Sequence, residues 1–518
     1  MGGQPLFILN EDTERTQGED AQSSNITAGK AISESVRTTL GPRGMDKMLV
    51  SDDGDVVITN DGATILEEMD IEHPAAQMLS EVAETQEEEV GDGTTTAAVL
   101  AGELLSQAED LLEEDVHPTT IVEGYYQAAE FADEAVEEVT LDAEVDDDQL
   151  VEVAESSMTG KGTGDIAADR LAQTVVEAVG YVRDGGVERD NITIHAQAGA
   201  SSSATELVEG VIVDEEPVND DMPRSLEDAA IAVLDADFEV KESNVDAEYS
   251  VSNVDQLNAA LEAEEGELQS YAEDLEAADV DVAFVDGDIE DRVGSYLAER
   301  DILAFESVSS DDAKSIASAT GATRVGSIET LESNDLGEAE TIRVEKFGDD
   351  EQVFVEGGGA AESVTIFARG GTEHVVDELE RALRDALDVV TAAIEAGGVV
   401  AGAGATEIAV ADYIREHAAS VEGRKQLAVE AYADAVDVLA RTLAENTGMD
   451  PIDALVDLRA RHEETGRAGI ISEGQSGVID DPVDYGVLDP AAVKHEAVES
   501  ATEAATMIVR IDDVIAAN

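Results

Sequence analysis

The spacing of apolar residues changes twice along this chain of 518 residues, and these changes limit the folds that it can adopt. Up to about residue 142, and again after about residue 370, apolar residues recur at helical spacing over long segments. Between about 210 and 362, short apolar runs typical of strands alternate with helical patterns. This alternation predicts a parallel or mixed sheet with helices packed on it, within a multidomain α/β protein.

Individual helices and strands can be assigned from the apolar spacing and from the turn residues between segments. The predicted helices cover 26–39, 75–89, 94–112, 119–139, 150–158, 166–182, 257–275, 289–299, 374–396, 406–419, 424–446 and 493–507. The predicted strands cover 5–9, 187–196, 229–234, 280–285, 302–305 and 508–514, with a hairpin over 48–59. The first and last parts of the chain are therefore rich in helix, and the middle part is mixed.

The predicted helix 257–275 is charged over most of its surface. A helix that is polar nearly all round often projects from its domain, although an ordinary surface helix gives the same pattern. We interpret the apolar stripe as too narrow for a core element, so removing the segment should cost little apolar burial. The stripe consists of Leu257, Leu261, Leu268, Tyr271 and Leu275.

The chain is strongly acidic, with 121 Asp and Glu residues against 29 Lys and Arg, and its formal net charge is -92. This balance argues against nucleic acid and anionic membranes as partners. The acidic residues are spread along a chain that is 43% hydrophobic, so the charge does not indicate disorder. An acidic surface with only eight lysines is typical of a protein adapted to concentrated salt, where the Debye length falls to about 3 Å at 1 M. A surface that attracts basic clients is the alternative.

Several classes of protein are disfavoured by what the sequence lacks. The chain has no cysteine, which excludes disulfides and thiolate metal sites. Its seven histidines are scattered without a His-x-x-x-His pair, so a zinc site is not expected. We find no signal peptide pattern at the N-terminus and no apolar run of about 20 residues, so we expect a cytoplasmic protein.

Residues 91–96 read Gly-Asp-Gly-Thr-Thr-Thr and stand directly before a predicted helix. Glycines at 91 and 93 permit backbone angles that other residues avoid. Three threonines then place hydroxyl groups and free N–H groups at a helix N-terminus, which is a favourable position for phosphate oxygens. Asp92 adds an oxygen ligand of the kind that Mg²⁺ prefers. The motif therefore predicts a nucleotide site.

The glycine motifs allow other interpretations. A Gly-Asp-Gly turn before a helix is common and often has no chemical role. Neither Lys30 nor Lys161 is followed by Ser or Thr, so a P-loop is not expected. Residues 162–167 fit a loose dinucleotide fingerprint, but the segment before them is helical instead of a buried strand. The phosphate site at 91–96 is the interpretation that the neighbouring motifs favour.

Together with 91–96, several segments resemble the group II chaperonins, the archaeal thermosome family. The similarity covers nearly the whole chain and is weakest over 213–340. The segments are Thr-Leu-Gly-Pro-Arg-Gly at 39–44, Gly-Asp-Val-Val-Ile-Thr-Asn-Asp-Gly at 54–62, Ser-Met-Thr-Gly-Lys-Gly at 157–162, Gly-Arg-Lys-Gln-Leu-Ala at 423–428, Leu-Ala-Glu-Asn at 443–446 and the ending at 500–513.

The resemblance implies three domains and an assembly. An α-rich equatorial ATP-binding domain would comprise 1–142 and 400–518, and a small α/β intermediate hinge domain would comprise 143–209 and 363–399. An α/β apical client-binding domain would comprise 210–362, with a helical protrusion at about 243–275 that acts as a built-in lid. Identical or paralogous subunits would form two stacked rings that enclose unfolded client proteins and fold them with ATP.

The resemblance also implies the site residues and their ligands, which are ATP and Mg²⁺, with K⁺ as an optional further cation. Asp385 would polarise the attacking water, Asp61 would face the γ-phosphate as a second acid, and Asp92 would hold Mg²⁺. Lys161 would contact the γ-phosphate and report its loss. Nucleotide binding is implied for Leu40, Gly41, Pro42, Gly62, Gly93, Thr94, Thr95, Thr96, Lys161, Gly402, Gly404 and Asp489.

The sequence departs from the family pattern at one point of the expected site. The family usually has three consecutive glycines near the base, whereas this chain has Gly402, Ala403 and Gly404. The added methyl group would tighten the pocket. Two alternative functions are a non-hydrolysing structural subunit of a hetero-oligomeric ring and a monomeric ATPase. The presence of Asp61, Asp92 and Asp385 disfavours the first, and the absence of a substrate-specific motif disfavours the second.

Overall fold

The computed structural model describes residues 14–51, 54, 56–141, 145–162, 166–183, 187–240, 254–348, 350–358, 363–474 and 476–516. The predicted strand 5–9 lies outside the described residues. Part of the turn of the predicted hairpin, at 52–53, also lies outside the described residues. The same is true of 163–165, within the segment that fits a loose dinucleotide fingerprint, and of 243–253, where the predicted protrusion begins.

The helices occupy most of the segments in which helical spacing was recognised. They are α1 (Glu19–Val36), α2 (Gly62–Glu67), α3 (Pro74–Val90), α4 (Thr94–Glu113), α5 (Pro118–Val139), α6 (Asp147–Met158), α7 (Ala168–Val182), α8 (Val254–Ala277), α9 (Asp291–Ala298), α10 (Ser310–Thr320), α11 (Glu373–Glu395), α12 (Ala405–Ala418), α13 (Lys425–Asn446), α14 (Pro451–Thr465) and α15 (Ala491–Val509).

The strands are shorter and are concentrated in the middle of the chain. They are β1 (Glu14–Gln17), β2 (Lys47–Val50), β3 (Val56–Thr59), β4 (Ile192–Ala198), β5 (Glu206–Val208), β6 (Gly210–Val213), β7 (Ser225–Leu234), β8 (Val282–Val285), β9 (Leu303–Phe305), β10 (Arg324–Val325), β11 (Gly337–Phe347), β12 (Asp350–Gly358), β13 (Val364–Gly370), β14 (Val399–Ala401), β15 (Gly469–Glu473), β16 (Ser476–Asp480), β17 (Leu488–Pro490) and β18 (Asp513–Ala516). The protein is thus helix-rich and α/β, with several separate sheets.

The chain divides into two compact units. Unit 1 contains both ends of the chain, Met1–Val176 and Asp377–Asn518, and unit 2 is the continuous segment Glu177–Val376 between them. The finer division into equatorial, intermediate and apical domains stays a prediction.

Unit 1 is built around long packed helices. Its core joins α1, α3, α4 and α5 from the first part of the chain with α12, α13 and α15 from the last part. Tyr125 of α5 and Tyr432 of α13 are fully buried and meet edge to face, with ring centroids 5.6 Å apart. The Tyr125 hydroxyl donates to the Leu104 carbonyl at 2.8 Å, so its polar atom is satisfied inside the core.

Local signals start helices α5 and α14, of which the sequence predicts only α5. Pro118 occupies the first turn of α5, where its missing N–H costs nothing, and His117 caps the helix by accepting from the Thr119 N–H. Asp450 caps α14 in the same way, accepting from Ile452 and Asp453 at 3.0 Å each.

In the described part of unit 1, two-stranded sheets complete the fold: β2–β3, β14–β17, β15–β16 and β1–β18. The predicted hairpin over 48–59 is the antiparallel pair β2–β3. The antiparallel pair β14–β17 places Asp489 opposite Val400, directly before the starts of α12 and α15. This small ladder positions several residues of the cavity described below.

Unit 2 contains a mixed sheet and a smaller sheet. The larger sheet has the strand order β6-β12-β11-β7-β8-β9, with β10 also paired to β7. Strands β7, β8 and β9 are parallel, as the alternation of strand and helix predicted, whereas β11 runs antiparallel to β7. The smaller sheet has the order β4-β13-β5. Helices α8, α9 and α10 contribute apolar residues to the core of the larger sheet.

Three sequence predictions require correction. The predicted strand 187–196 begins only at Ile192, because 189–191 form a 3₁₀ turn. The predicted strand 508–514 was misplaced, because α15 continues to Val509 and the final strand begins at Asp513. The third concerns α8, whose apolar side packs into the core over part of its length.

Helix α8 is a core element over its C-terminal half. Leu268, Tyr271 and Leu275 are buried in the core of unit 2, and Tyr271 stacks on Phe238 with ring centroids 4.9 Å apart. Leu261, nearer the N-terminus of the helix, is exposed. The prediction that the segment contributes little to the core was therefore wrong, because a narrow stripe suffices when one half of a helix packs on a sheet.

Among the described residues, no helix is long and apolar enough to cross a membrane.

Candidate functional site

A cavity of about 440 Å³ lies in unit 1, and most of the predicted site residues line it. These are Leu40, Gly41, Pro42, Asp61, Gly62, Asp92, Gly93, Thr94, Thr95, Thr96, Lys161, Gly404 and Asp489. Gly402 and Asp385 are not among the lining residues. Gly402 precedes Ala403, which does line the cavity, and Asp385 is bonded to the lining residue Lys161.

The N-terminus of α4 opens into the cavity at the Gly-Asp-Gly-Thr motif. Gly93 precedes the helix with a φ of 84°, in the left-handed region that favours glycine. Its N–H donates to the Asp92 carboxylate at 2.7 Å, and the Gln86 side chain donates to the Asp92 carbonyl at 2.7 Å. These bonds hold the turn, while the first N–H groups of α4 have no intrahelical acceptor.

Asp61 stands beside this helix start as the N-cap of α2. Its carboxylate accepts from the Thr64 N–H at 2.6 Å and from the Thr94 hydroxyl at 3.4 Å. The two helix starts approach so closely that a Cβ on Gly62 would lie 2.5 Å from the Thr95 hydroxyl. Glycine at 62 is therefore required by packing, and the cavity wall here consists of backbone and short polar side chains.

Lys161 and Asp385 form a buried ion pair at the edge of the cavity. Lys161 Nζ donates to Asp385 Oδ2, and the two side chains are 16% and 7% exposed. Burial works against the charge on Lys161, but Asp385 outweighs it and raises the pKa of the lysine. Burial raises the pKa of Asp385 to about 6, although Lys161 acts in the opposite direction.

The position of Asp385 follows from how α11 packs on the motif. A Cβ on Gly91 would lie 2.2 Å from Cβ of Asp388, one turn after Asp385. Gly91 itself has a φ of 68°. The glycine therefore permits both the turn and the close approach of α11, and this approach brings Asp385 to residues that lie about 300 positions earlier in the chain.

Glu87 is an additional acidic residue at the site that sequence reasoning missed. It lies in the last turn of α3, before the motif. Burial raises the pKa of Glu87 to about 9, and the nearby Asp385 and Asp61 add to the rise. No sequence pattern distinguishes Glu87 from the adjacent Glu88 and Glu89, because all three belong to one acidic run.

We expect Glu87→Gln to stabilise the folded protein at pH 8 and to weaken its pH dependence. The ordinary pKa of 4.5 rises to about 9 in the folded state, so between these values the folded protein holds a proton that the unfolded chain has lost. The free energy of unfolding should therefore fall as the pH rises through this window, and the variant should lack that slope. Denaturant unfolding from pH 4 to 9, in concentrated salt without nucleotide, would measure it.

The exposed neighbour Glu88 supplies the control for this experiment. Glu88→Gln removes one charge from the same helix turn and should leave the slope unchanged. Equal slopes in the wild type and Glu87→Gln would contradict the expectation.

A second buried lysine was also missed. Lys494, in the first turn of α15, pairs with Glu407 Oε1 at 2.8 Å and with Asp489 Oδ2 at 2.7 Å, and all three residues line the cavity. Burial lowers the pKa of Lys494, but Asp489 and Glu407 outweigh this and raise it. No local pattern distinguished Lys494 from Lys30 and Lys425, which also lie on predicted helices.

The glycine run near this lysine carries strain. Ala403 has a φ of 55°, between Gly402 and Gly404, and Gly404 has a φ of 83°. The left-handed region costs a residue with a Cβ about 1–2 kcal/mol. The Ala403 carbonyl accepts from the Ile470 N–H at 2.9 Å, which helps to hold this conformation. Ala403 therefore adopts a left-handed backbone conformation of the kind that a glycine would adopt at this position.

The comparisons with known proteins agree with this architecture. A model of the TCP-1/cpn60 chaperonin family matches residues 32–518, and the chain belongs to this family. It is 66% identical over 517 residues to thermosome subunit 3 of Haloferax volcanii, with 99% of each chain covered. It is 52% identical to thermosome subunit alpha of Halobacterium salinarum, with 100% of this chain and 92% of the relative covered.

A further relative is thermosome subunit beta of Methanothermobacter thermautotrophicus, which is 50% identical with 100% of this chain and 96% of the relative covered. Within the family, the chain is therefore a group II chaperonin subunit of the halophile type that acts as a chaperone. The resemblance inferred from the motifs is confirmed.

Proposed function

We propose that this chain binds ATP with Mg²⁺ in the cavity of unit 1 and hydrolyses it to drive the folding of unfolded clients inside a double ring. The observation that supports this most is the convergence of a free helix N-terminus, the acids Asp61 and Asp92, and the Lys161–Asp385 pair at one cavity. Phosphoryl transfer to water needs a phosphate cradle, charge neutralisation and an oriented water, and these groups are of the types required.

The residues fit a magnesium-bound triphosphate. The α4 N-terminus offers N–H groups and hydroxyls to phosphate oxygens. A Cβ on Gly62 or Gly93 would clash with protein atoms around this helix start, so glycine at both positions keeps its geometry. Among the described residues, no group of three His, Asp or Glu side chains forms a metal cluster. Mg²⁺ is commonly bound by one or two carboxylates together with phosphates and water, and Asp92 would be the first such carboxylate. Bound Mg²⁺ would supply charge neutralisation at the phosphates.

We assign proton handling to Asp385. Its carboxylate would accept a hydrogen bond from the attacking water, which requires the ionised form. In the structure one carboxylate oxygen is held by Lys161, and the lysine would exchange this partner for a phosphate oxygen. Lys161 would thus report the presence of the γ-phosphate. Leu40, Gly41 and Pro42 would pack on the nucleotide from the side opposite to α4.

Assembly into rings is supported by an exposed apolar surface in unit 1. One face of the β2–β3 hairpin carries Met48, Val50, Val56 and Ile58, and all four are exposed. A contiguous exposed apolar patch marks an interaction site more often than a solvated surface. We assign it to a neighbouring subunit, identical or paralogous.

The proposed function can be tested by refolding in concentrated KCl. A chemically denatured enzyme from a halophile serves as the client, and its recovered activity is measured with ATP, with a non-hydrolysable ATP analogue and without nucleotide. We expect recovery well above the spontaneous yield with ATP alone. Equal recovery with the analogue would contradict a role for hydrolysis, and monomeric subunits in light scattering would contradict ring assembly.

The lid predicted at about 243–275 can be tested with a shortened variant. Replacing 243–262 by a short Gly/Ser linker keeps the buried residues Leu268, Tyr271 and Leu275. We expect ATPase activity to continue while a bound client loses its protection from protease. Deleting 243–275 completely is the comparison, and it should unfold unit 2, because each large buried side chain contributes about 2–5 kcal/mol. Continued protection of the client by the shortened variant would show that the segment is not the lid.

A further inference from the structure

The loop that carries Lys161 is tied to a distant turn of the chain by one side chain. Asn60 donates from its side-chain amide to the Gly160 carbonyl at 2.8 Å, across 100 positions of the sequence. The Lys161 N–H, by contrast, donates locally to the Met158 carbonyl at 3.1 Å, at the end of α6. The hydrogen bond from Asn60 therefore joins this loop to the part of unit 1 that contains α2.

Asn60 stands in a turn that its neighbours hold in place. It follows β3, which ends at Thr59, and it precedes Asp61, the N-cap of α2. The hydroxyl of the buried Thr59 accepts from the Asp61 N–H at 3.1 Å, and the Asp61 carboxylate accepts from the Thr64 N–H at 2.6 Å. The backbone on both sides of Asn60 is therefore fixed, and its amide offers the loop a donor at a defined position.

The loop also packs closely on two other segments. A Cβ on Gly160, whose φ is 88°, would lie 3.2 Å from the carbonyl oxygen of Pro42. A Cβ on Gly162 would lie 2.6 Å from Cγ of Glu378, on α11. These glycines let the loop lie between the cavity wall and α11, which also carries Asp385. The position of the loop therefore decides which partners its lysine can reach.

We propose that Asn60 is a positioning residue for Lys161: it holds the Gly160 carbonyl and so sets how readily the lysine moves from Asp385 to the γ-phosphate. The proposal rests on the proposed binding of ATP and on the exchange of partners assigned to Lys161. A lysine ammonium is a point charge on a flexible stem, so the backbone that carries it determines where the charge is held. ADP lacks the γ-phosphate, so a shift of the loop should weaken the binding of ATP more than that of ADP.

Two alternatives to this role give different results. Asn60 itself lines the cavity, and if it contacted a phosphate directly, its contribution and that of Lys161 would be independent and would add. A purely structural hydrogen bond would change stability and would weaken ATP and ADP to the same extent. A positioning role lowers the preference for ATP, and it does so only when Lys161 is present. A double-mutant cycle on the ratio of the two affinities therefore separates the three possibilities.

The decisive variant is Asn60→Ala, which removes the amide donor. Lys161→Met removes the charge that Asn60 positions, and the double variant completes the cycle. Gln77→Ala is the matched control. Gln77 also donates from a side-chain amide to a backbone carbonyl, that of Ile71 at 2.8 Å, and it does not line the cavity.

The measurement is equilibrium binding of ADP and of a non-hydrolysable ATP analogue, each with Mg²⁺ in concentrated KCl. We expect the wild type and Gln77→Ala to prefer the analogue to the same extent. Asn60→Ala should lower this preference by roughly two- to tenfold, the usual effect of one hydrogen bond, and should leave the affinity for ADP nearly unchanged. Lys161→Met should lower the preference further, and the double variant should match Lys161→Met.

Three results would overturn the proposal. The first is a preference in Asn60→Ala equal to that of the wild type, and the second is a pair of losses that add in the double variant. The third is equal weakening of ADP and the analogue in Asn60→Ala, which would show a structural role. If Lys161→Met does not fold, Lys161→Gln takes its place in the cycle, because its amide can still donate to Asp385.

Two further outcomes separate this proposal from the one on which it rests. A wild type that binds both nucleotides without preference would overturn the role of Lys161, and with it that of Asn60, but would leave nucleotide binding intact. A wild type that binds neither nucleotide would overturn both proposals.

Discussion

Replacing Asp385 by asparagine is expected to lower the turnover number for ATP by roughly 10²–10⁴-fold, the usual range for loss of a general base. The affinity for ATP should change little, because the proposed interaction with water contributes mainly in the transition state. Asparagine is preferred to alanine, since removing the partner of a buried lysine costs about 3–5 kcal/mol and would confuse instability with lost catalysis. Single-turnover hydrolysis and equilibrium ATP binding should be measured on the same preparation.

The pH profile gives this prediction a second readout. The pKa of Asp385 is raised to about 6, so the wild type should lose activity as the pH falls through this value and the carboxylate becomes protonated. In the asparagine variant, the residual activity should lack that acidic limb. Asp377→Asn, at an exposed position of the same helix, is the control and should behave as the wild type. Turnover within a few-fold of the wild type in Asp385→Asn would exclude the proposed role.

Lowering the salt concentration is expected to dissociate the assembly into subunits. Each subunit carries a formal charge of -92, and neighbouring subunits repel one another unless ions screen that charge. The screening distance grows from about 3 Å at 1 M to about 10 Å at 0.1 M, so the repulsion then reaches across an interface. Light scattering across a KCl series would show the loss of mass.

A neutral osmolyte supplies the control for the salt experiment. Sucrose at matched osmolality strengthens burial of apolar surface but does not screen charge, so it should fail to preserve the assembly in dilute buffer. Full protection by sucrose would indicate that apolar contacts, such as those assigned to the β2–β3 hairpin, limit the assembly instead. An assembly that stays intact in dilute buffer without any additive would contradict the prediction.

Residues that act through their immediate neighbours were predictable. Helices α3, α4 and α5 begin and end within a few residues of the predicted positions, because their spacing, prolines and glycines act over one or two turns. The Gly-Asp-Gly-Thr motif was recognised for the same reason, since its chemistry depends on adjacent residues. The family could be recognised because such motifs occur in the same order along the chain.

Residues that act through distant partners were not predictable from local pattern. Glu87 and Glu88 are neighbours of the same type, yet only the contacts of the folded chain make Glu87 an acid with a pKa of about 9. The stripe of α8 looked too narrow for a core, yet three of its five residues are buried, because burial depends on what a helix packs against.

By itself, the sequence determined the helix-rich α/β class, the acidic surface and the family, and it drew attention to the Gly-Asp-Gly-Thr motif. The tertiary structure decided that Lys161 bonds Asp385 across 224 positions, and that Lys494 joins Glu407 to Asp489. The physical reason is the range of the interactions. Backbone hydrogen bonds and side-chain periodicity act within a turn or two, whereas the pairing of buried charges depends on which segments the packing of the whole unit brings together.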